Sequence, residues 1–309
     1  MLGKARVVCP RALRLFFLGI RVRRMVYARL VPGFGIWVRH MSAHADVLCD
    51  ARYACEVVVV EPNRGRELGF WVCVSALVSA LKQQAVAGDM LDLVLQDGGR
   101  LSVVFSNGSV VPVPSSEDAP AIYPGDSVRV QPGGQTGVVV HVDARARAAD
   151  LRLSENGRVK TFPMRDLAHA GAKTAPPLFP DVKVCCVALV SVALLREFQK
   201  RARSAGQNVA RVTAVRRANN LLTSGPGSQA HELEVLLAWP GSKDKEPAPL
   251  PVGRADVYLD NLTRFLQHMD ADADVEIGLG APQQKAPMVL TNYVKDHLSF
   301  VRHVVVPYA

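Results

Sequence analysis

The chain has 309 residues, 49% of them hydrophobic and 21% charged, which suits a protein with a sizeable buried core and excludes a disordered chain. Its net charge of +9 and pI near 9.4 point to an anionic partner, nucleic acid or a membrane surface. Six cysteines without a C-x-x-C pair exclude zinc-ribbon and thioredoxin-like sites and read as reduced, buried thiols.

The first 45 residues hold nine Lys or Arg and no Asp or Glu. That composition fits a mitochondrial presequence, or the first strand and basic helix of a folded domain. Leu15–Ile20 lies between Arg14 and Arg21, well short of the ~18 apolar residues of a membrane span, so a transmembrane helix is excluded there. In the second reading Ala5–Cys9 is a strand, and Pro10 opens a helix running to about Tyr27. Ile36–His40, Val47–Cys49 and Cys55–Glu61 follow as strands. The order then restarts with strand Leu68–Val74, helix Ser75–Ala87 and strands Met90–Leu95 and Leu101–Phe105.

The rhythm breaks at Ser106–Pro120, a Ser/Pro/Gly-rich connector. Ile122–Leu167 alternates apolar residues with Gly-containing turns and reads as a small antiparallel β module. Two forms fit it equally: an inserted SH3-like barrel, or an elaborated hairpin of the first domain. Pro176–Pro180 reads as a linker.

In the second half Asp181–Val187 reads as a buried strand, and Leu194, Leu195, Phe198 and Ala202 mark a helix over Ala188–Ala205 that Gly206 stops. Strands at Val209–Val215, Asn219–Thr223 and Glu232–Trp239 come next, then a polar loop over Pro240–Pro251. Arg254–Tyr258 begins another unit, with Asp260 capping a helix over Asn261–Met269 and strands at Val275–Leu279, Met288–Tyr293 and Phe300–Pro307. Four β-α-β-β-β units result, repeated in structure but not in sequence. The domains are 1–106, a connector with its β-rich insert at 107–175, and 176–309.

The helices carry basic stripes. Arg196, Lys200 and Arg203 recur at i, i+4 and i+7, with Arg201 at the edge, opposite Leu194, Phe198 and Ala205. Arg11, Arg14 and Arg21 share a face of the first helix; Lys82 and Arg264 are the basic residues of the other two. A solvated helix face is the ordinary meaning of one such stripe. No phosphate loop, G-x-S-x-G or H-E-x-x-H is present, the eight histidines are scattered, and no His/Cys cluster has metal-ligand spacing. The reading is non-enzymatic, with no cofactor and no metal.

The segments D-N-L-T-R-F-L-Q-H (260–268), V-E-I-G-L-G (275–280), M-V-L (288–290) and F-V-R-H-V-V-V-P-Y-A (300–309) resemble the close of the Hus-type subunit of the nine-one-one DNA-damage checkpoint clamp. Pro180-Asp181-Val182 resembles that family's entry to its second domain, and Leu48-Cys49-Asp50 a segment of its first. The likeness covers most of 181–309 and is patchy over Lys4–Phe105; the length of 107–160 and the Arg-rich first helix depart from it. The resemblance implies an α+β sliding-clamp fold of two similar domains whose helices line a hole around double-stranded DNA. Arg11, Arg14, Arg21, Lys82, Arg196, Lys200, Arg201, Arg203 and Arg264 would then face the phosphates. It implies two other clamp-like subunits in a heterotrimeric ring, a clamp loader, no membrane partner and a nuclear location. Ring closure would use edge strands near Arg100–Phe105 and within Asn219–Thr223 or Glu232–Trp239. The alternatives are a replicative or viral-type processivity clamp, and an organellar RNA-binding or ribosome-associated protein with a mitochondrial transit peptide.

Overall fold

A computed structural model describes residues 1–20, 25–41, 47–60, 67–84, 90–116, 122, 124, 126–143, 145–169, 183–216, 233–239, 251–282, 286–294 and 296–307. The chain forms two compact units, Met1–Leu178 with Tyr293–Arg302, and Phe179–Asn292 with His303–Ala309.

In unit 1, β1 (Gly3–Val7) leads into α1 (Pro10–Gly19), then β2 (Met25–Val31), β3 (Gly35–Met41), β4 (Val47–Tyr53) and β5 (Glu56–Val59). The pattern repeats as β6 (Leu68–Cys73), α2 (Val74–Gln84), β7 (Leu91–Gln96), β8 (Arg100–Phe105) and β9 (Val110–Val113). One sheet runs β5-β1-β7-β8-β9; a second runs β10-β6-β2-β3-β4, with β10 (Ser115–Ser116) at its edge. The helix α1 buries Leu13, Phe16 and Phe17 along one stripe, and Phe16 packs edge-on against Phe17 and Tyr53. Its first turn accommodates Pro10, which needs no amide partner there. The helix stops at Gly19 rather than near Tyr27. The apolar run Met25–Val31 alternates across a sheet instead, with Val26, Ala28 and Leu30 in the core.

The stretch expected as a connector supplies β9 and β10, so the first sheets continue past residue 106. After them come β11 (Ser127–Val130), β12 (Thr136–Asp143), β13 (Ala148–Leu153), β14 (Val159–Pro163), a 3₁₀ turn (Met164–Asp166) and β15 (Leu167–His169). Their order is β14-β13-β12-β11-β15. The last strand returns beside the first, as in an SH3-like barrel. Val128, Val130, Val139, Ala149, Leu151, Leu153 and Leu167 form a core belonging to this module alone. The module thus has the strand order of an SH3-like barrel and a hydrophobic core of its own.

Unit 2 contains β16 (Cys186–Ser191), α3 (Val192–Ser204), β17 (Val209–Arg216), β18 (Leu233–Ala238), β19 (Pro251–Tyr258), α4 (Leu259–Leu266), β20 (Asp274–Leu279) and β21 (Met288–Tyr293). The strand β22 (Phe300–Val305) contributes Phe300–Arg302 to unit 1 and His303–Val305 to unit 2. Strands β21, β20 and β16 adjoin in that order, and a three-stranded sheet runs β18-β17-β19. Ser191 caps α3, its Oγ accepting the Leu194 amide proton at 3.3 Å. At the other end Gly206 takes φ +70°, and the amides of Gly206 and Gln207 donate back to the Arg203 and Ala202 carbonyls. The strand before α3 thus lies about one turn later than its β-branched sequence suggests. Asp260 sits in the first turn of α4, behind the cap residue Tyr258. The predicted strand Asn219–Thr223 lies outside the described residues.

Candidate nucleic-acid interface

Each unit sets its two helices side by side, α1 against α2 and α3 against α4. Amphipathicity then decides what each helix shows to solvent. On α3 the buried positions are Val192, Leu195, Phe198, Gln199 and Ala202, whereas Leu194 is 42% exposed, contrary to its expected place on the inner face. Lys200, Arg201 and Arg203 are exposed.

The stripe divides by hydrogen bonding. The half-buried Arg196 turns to α4, its Nη2 donating to the Leu266 carbonyl at 2.8 Å and the Met269 carbonyl at 2.6 Å. Those carbonyls belong to the frayed C-terminal turn, where a cation complements the helix dipole. Arg203 donates to Asp260 Oδ1 at 3.1 Å and Thr263 Oγ1 at 2.9 Å, at the opposite end of α4. The two arginines therefore pin α3 and α4 antiparallel. Arg201 pairs with Glu197 at 3.8 Å along its own helix. Lys200 and Arg264 are exposed between them, so the exposed cations of the helix pair are Lys200, Arg201, Arg203 and Arg264.

In unit 1 Arg11 is exposed in the first turn of α1 and Lys82 in the last turn of α2. Arg14 is half-buried, and its Nε is buried with no hydrogen-bond partner among the described residues. Arg21 lies outside the described residues.

Three further arginines, on the sheet of β2, β3 and β4, do structural work. Arg29 and Arg39 lie over the Trp37 ring at 5.2 and 4.8 Å, and Arg52 over Phe34 at 3.6 Å. Arg29 also pairs with Glu67 at 3.1 Å and Arg39 with Asp50 at 3.2 Å. Sequence reading missed the basic residues of the barrel as well: Arg145, Arg147, Arg152, Arg158, Lys160 and Arg165 are all exposed. Counting charge within Ile122–Leu167 would have found them; the strand alternation there drew attention to the core instead.

Two of the terminal strands, β9 and β18, bear on assembly. Strand β9 ends its sheet, and β18 is bordered only by β17 among the described residues. Arg100–Phe105 is not an edge strand, because β8 is hydrogen-bonded on both sides, to β7 and to β9; β9 ends the sheet on that side. No group of three or more His, Cys, Asp or Glu side chains gathers among the described residues, and no described helix is long and apolar enough to cross a membrane. All six cysteines are free thiols, and burial, then the neighbouring Asp50 charge, pushes the Cys49 thiol well above its ordinary range.

No family profile and no curated protein matches the chain. Solved structures do. A PCNA of Thermococcus kodakaraensis superposes with a TM-score of 0.58 at 13% identity, covering 99% of this chain and 100% of that one. The A. fulgidus PCNA solved with the C-terminal region of FEN-1 gives 0.55 at 12%, covering 100% and 99%. The PCNA2-PCNA3 complex of Sulfolobus tokodaii gives 0.54 at 13%, covering 98% of each chain. The fold is that of PCNA-like sliding clamps along nearly the whole chain.

Proposed function

We propose that this chain is a non-catalytic subunit of a ring clamp that encircles duplex DNA, and within that class a Hus-type subunit of a heterotrimeric checkpoint clamp acting in the nucleus. The observation that carries the proposal is the clamp fold matched end to end. Basic side chains on paired helices, and the edge strands β9 and β18, support it. A helix face of Lys200, Arg201 and Arg264 meets phosphates without reading bases, as a protein that slides requires. The resemblance of residues 260–309 to the close of the Hus-type subunit supports the finer assignment.

The organellar reading is weaker on physical grounds. Strand β1 lies between β5 and β7, and Ala5, Val7, Leu13, Phe16 and Phe17 belong to the core of unit 1. Removing about 40 residues as a transit peptide would take out the helix α1 and the interior strands β1, β2 and most of β3. Affinity purification from cells after DNA damage tests the proposal. Two further clamp-like chains and a clamp loader are expected in the eluate; recovery of ribosomal proteins instead would sink it.

A further inference from the structure

The SH3-like barrel of β11–β15 belongs to neither repeated unit of the clamp pattern. Its charge is laid out unevenly. The loop after β12 presents Arg145 and Arg147, both exposed, and the 3₁₀ turn presents Arg165, whose side chain is 87% exposed. Backbone structure brings these together: the Met164 amide donates to the Arg147 carbonyl at 2.8 Å, and Ala148 is paired with Pro163 in the sheet. Arg152, Arg158 and Lys160 are exposed at the other end of the same β13–β14 hairpin. The β11–β15 side contributes only the half-buried Arg129 to the basic residues of the strands.

The acids nearby are mostly engaged. Asp143 accepts the backbone amides of Arg145 at 2.9 Å and Ala146 at 3.0 Å, which fixes the loop. Asp150 accepts the Thr161 hydroxyl at 2.6 Å, and Asp166 lies 3.6 Å from Arg165. Glu155, exposed at the hairpin tip, is the remaining acid on this side. The two basic groups stand at opposite ends of β14, a five-residue strand. At about 3.3 Å per residue they are roughly 15 Å apart, close to the rise of about four to five base pairs. Phe162, the one phenyl ring in the five strands, is half-buried against the core. The face therefore lacks the stacking platform that single strands need.

We infer that the exposed β13–β14 hairpin of the barrel, with the 3₁₀ turn after it, is a second, sequence-independent contact for the phosphate backbone of duplex nucleic acid, separate from the helix pairs. It does not rest on the ring reading, since one chain alone carries the whole face. The test uses the full chain and a labelled blunt duplex of mixed sequence, with binding followed by anisotropy across a salt series. Two variants, R145Q/R147Q/R165Q and R152Q/R158Q/K160Q, should each bind more weakly. Each should lower the slope of log affinity against log salt by about 2 to 3, on roughly 0.9 per phosphate contact. The charge-preserving R145K/R147K/R165K should keep the parent slope, which separates charge from misfolding. Parent slopes in both glutamine variants would overturn the inference. So would polyglutamate competing as well as the duplex at equal charge, an outcome that marks the face for an acidic protein. Failure of the chain to form any ring would leave this result untouched.

Discussion

Three cations at i, i+4 and i+7 on one helix do not share one task. Arg196 and Arg203 are bound to α4, and Lys200 between them reaches solvent. Truncating Arg196 strips two carbonyls of a charged donor at the end of α4, and a hydrogen bond to a charged group is worth roughly 2 kcal/mol. Arg196→Ala should therefore lower the stability of unit 2 by about 2 kcal/mol in urea unfolding. Lys200→Ala should change stability by less than about 0.5 kcal/mol while lowering the salt slope of DNA binding by about 0.9. If Lys200→Ala leaves that slope at the parent value, Lys200 is not at the interface. The spacing of these residues was plain in the sequence. Their partners were not, because the Arg196 acceptors lie 70 and 73 positions away and no local pattern announces them.

Elements were legible where one period held without interruption. Val209–Arg216, Asp274–Leu279 and Met288–Tyr293 fall where alternation places them. Elsewhere two patterns run together: Met25–Val31 follows an apolar helix too closely to show its own period, and Cys186–Ser191 shares small and apolar residues with the helix behind it. Pro112 and Pro114 disguised β9 as a connector, although proline is tolerated on an edge strand. Cross-strand charge is a further feature that only register discloses. Arg211 of β17 faces Asp256 of β19, with bonds of 3.0 and 3.1 Å, and Arg254 lies 3.5 Å from the same carboxylate. Burial alone would raise the Asp256 carboxyl, but the hydrogen bond and charge of Arg211, then Arg254, outweigh it and hold the group below its usual range. A carboxyl depressed on folding contributes stability above its unfolded pKa of about 3.9, and that contribution is lost as pH falls through the folded value. Asp256→Asn should thus be less stable than the parent by about 1 kcal/mol near neutrality. The gap should close as urea midpoints are followed down to about pH 3. A gap that stays constant over that range would show that packing, not charge, sets the effect.

At the scale of the molecule the proposed ring is tested at two edge strands, β9 and β18. An unpaired edge invites another strand, and proteins that keep such edges exposed usually protect them with charge. Strand β18 is poorly protected: five of its six residues are apolar and half-exposed, and Glu234 is its one charge. On β9, Val110 is 58% exposed and Pro112 is the only protective residue. In the proposed ring, heterologous contacts would join β9 of one chain to the β18-type edge of the next, and each edge would meet a different neighbour in a heterotrimer. Val110→Asp and Leu236→Lys place a charge on one edge each. Leu236 is half-exposed on the edge strand, opposite Thr213 and on the face it shares with the exposed Glu234. In co-purification, Val110→Asp should lose one clamp-like partner at least tenfold and keep the other, and Leu236→Lys should do the reverse. A homotrimer would respond differently: either substitution alone would block closure, and mixing the two variants would restore one joint between a sound β9 and a sound β18. Reciprocal loss identifies the heterotrimer, restored pairing on mixing identifies the replicative form, and an unchanged set of partners for both variants removes these edges from the assembly.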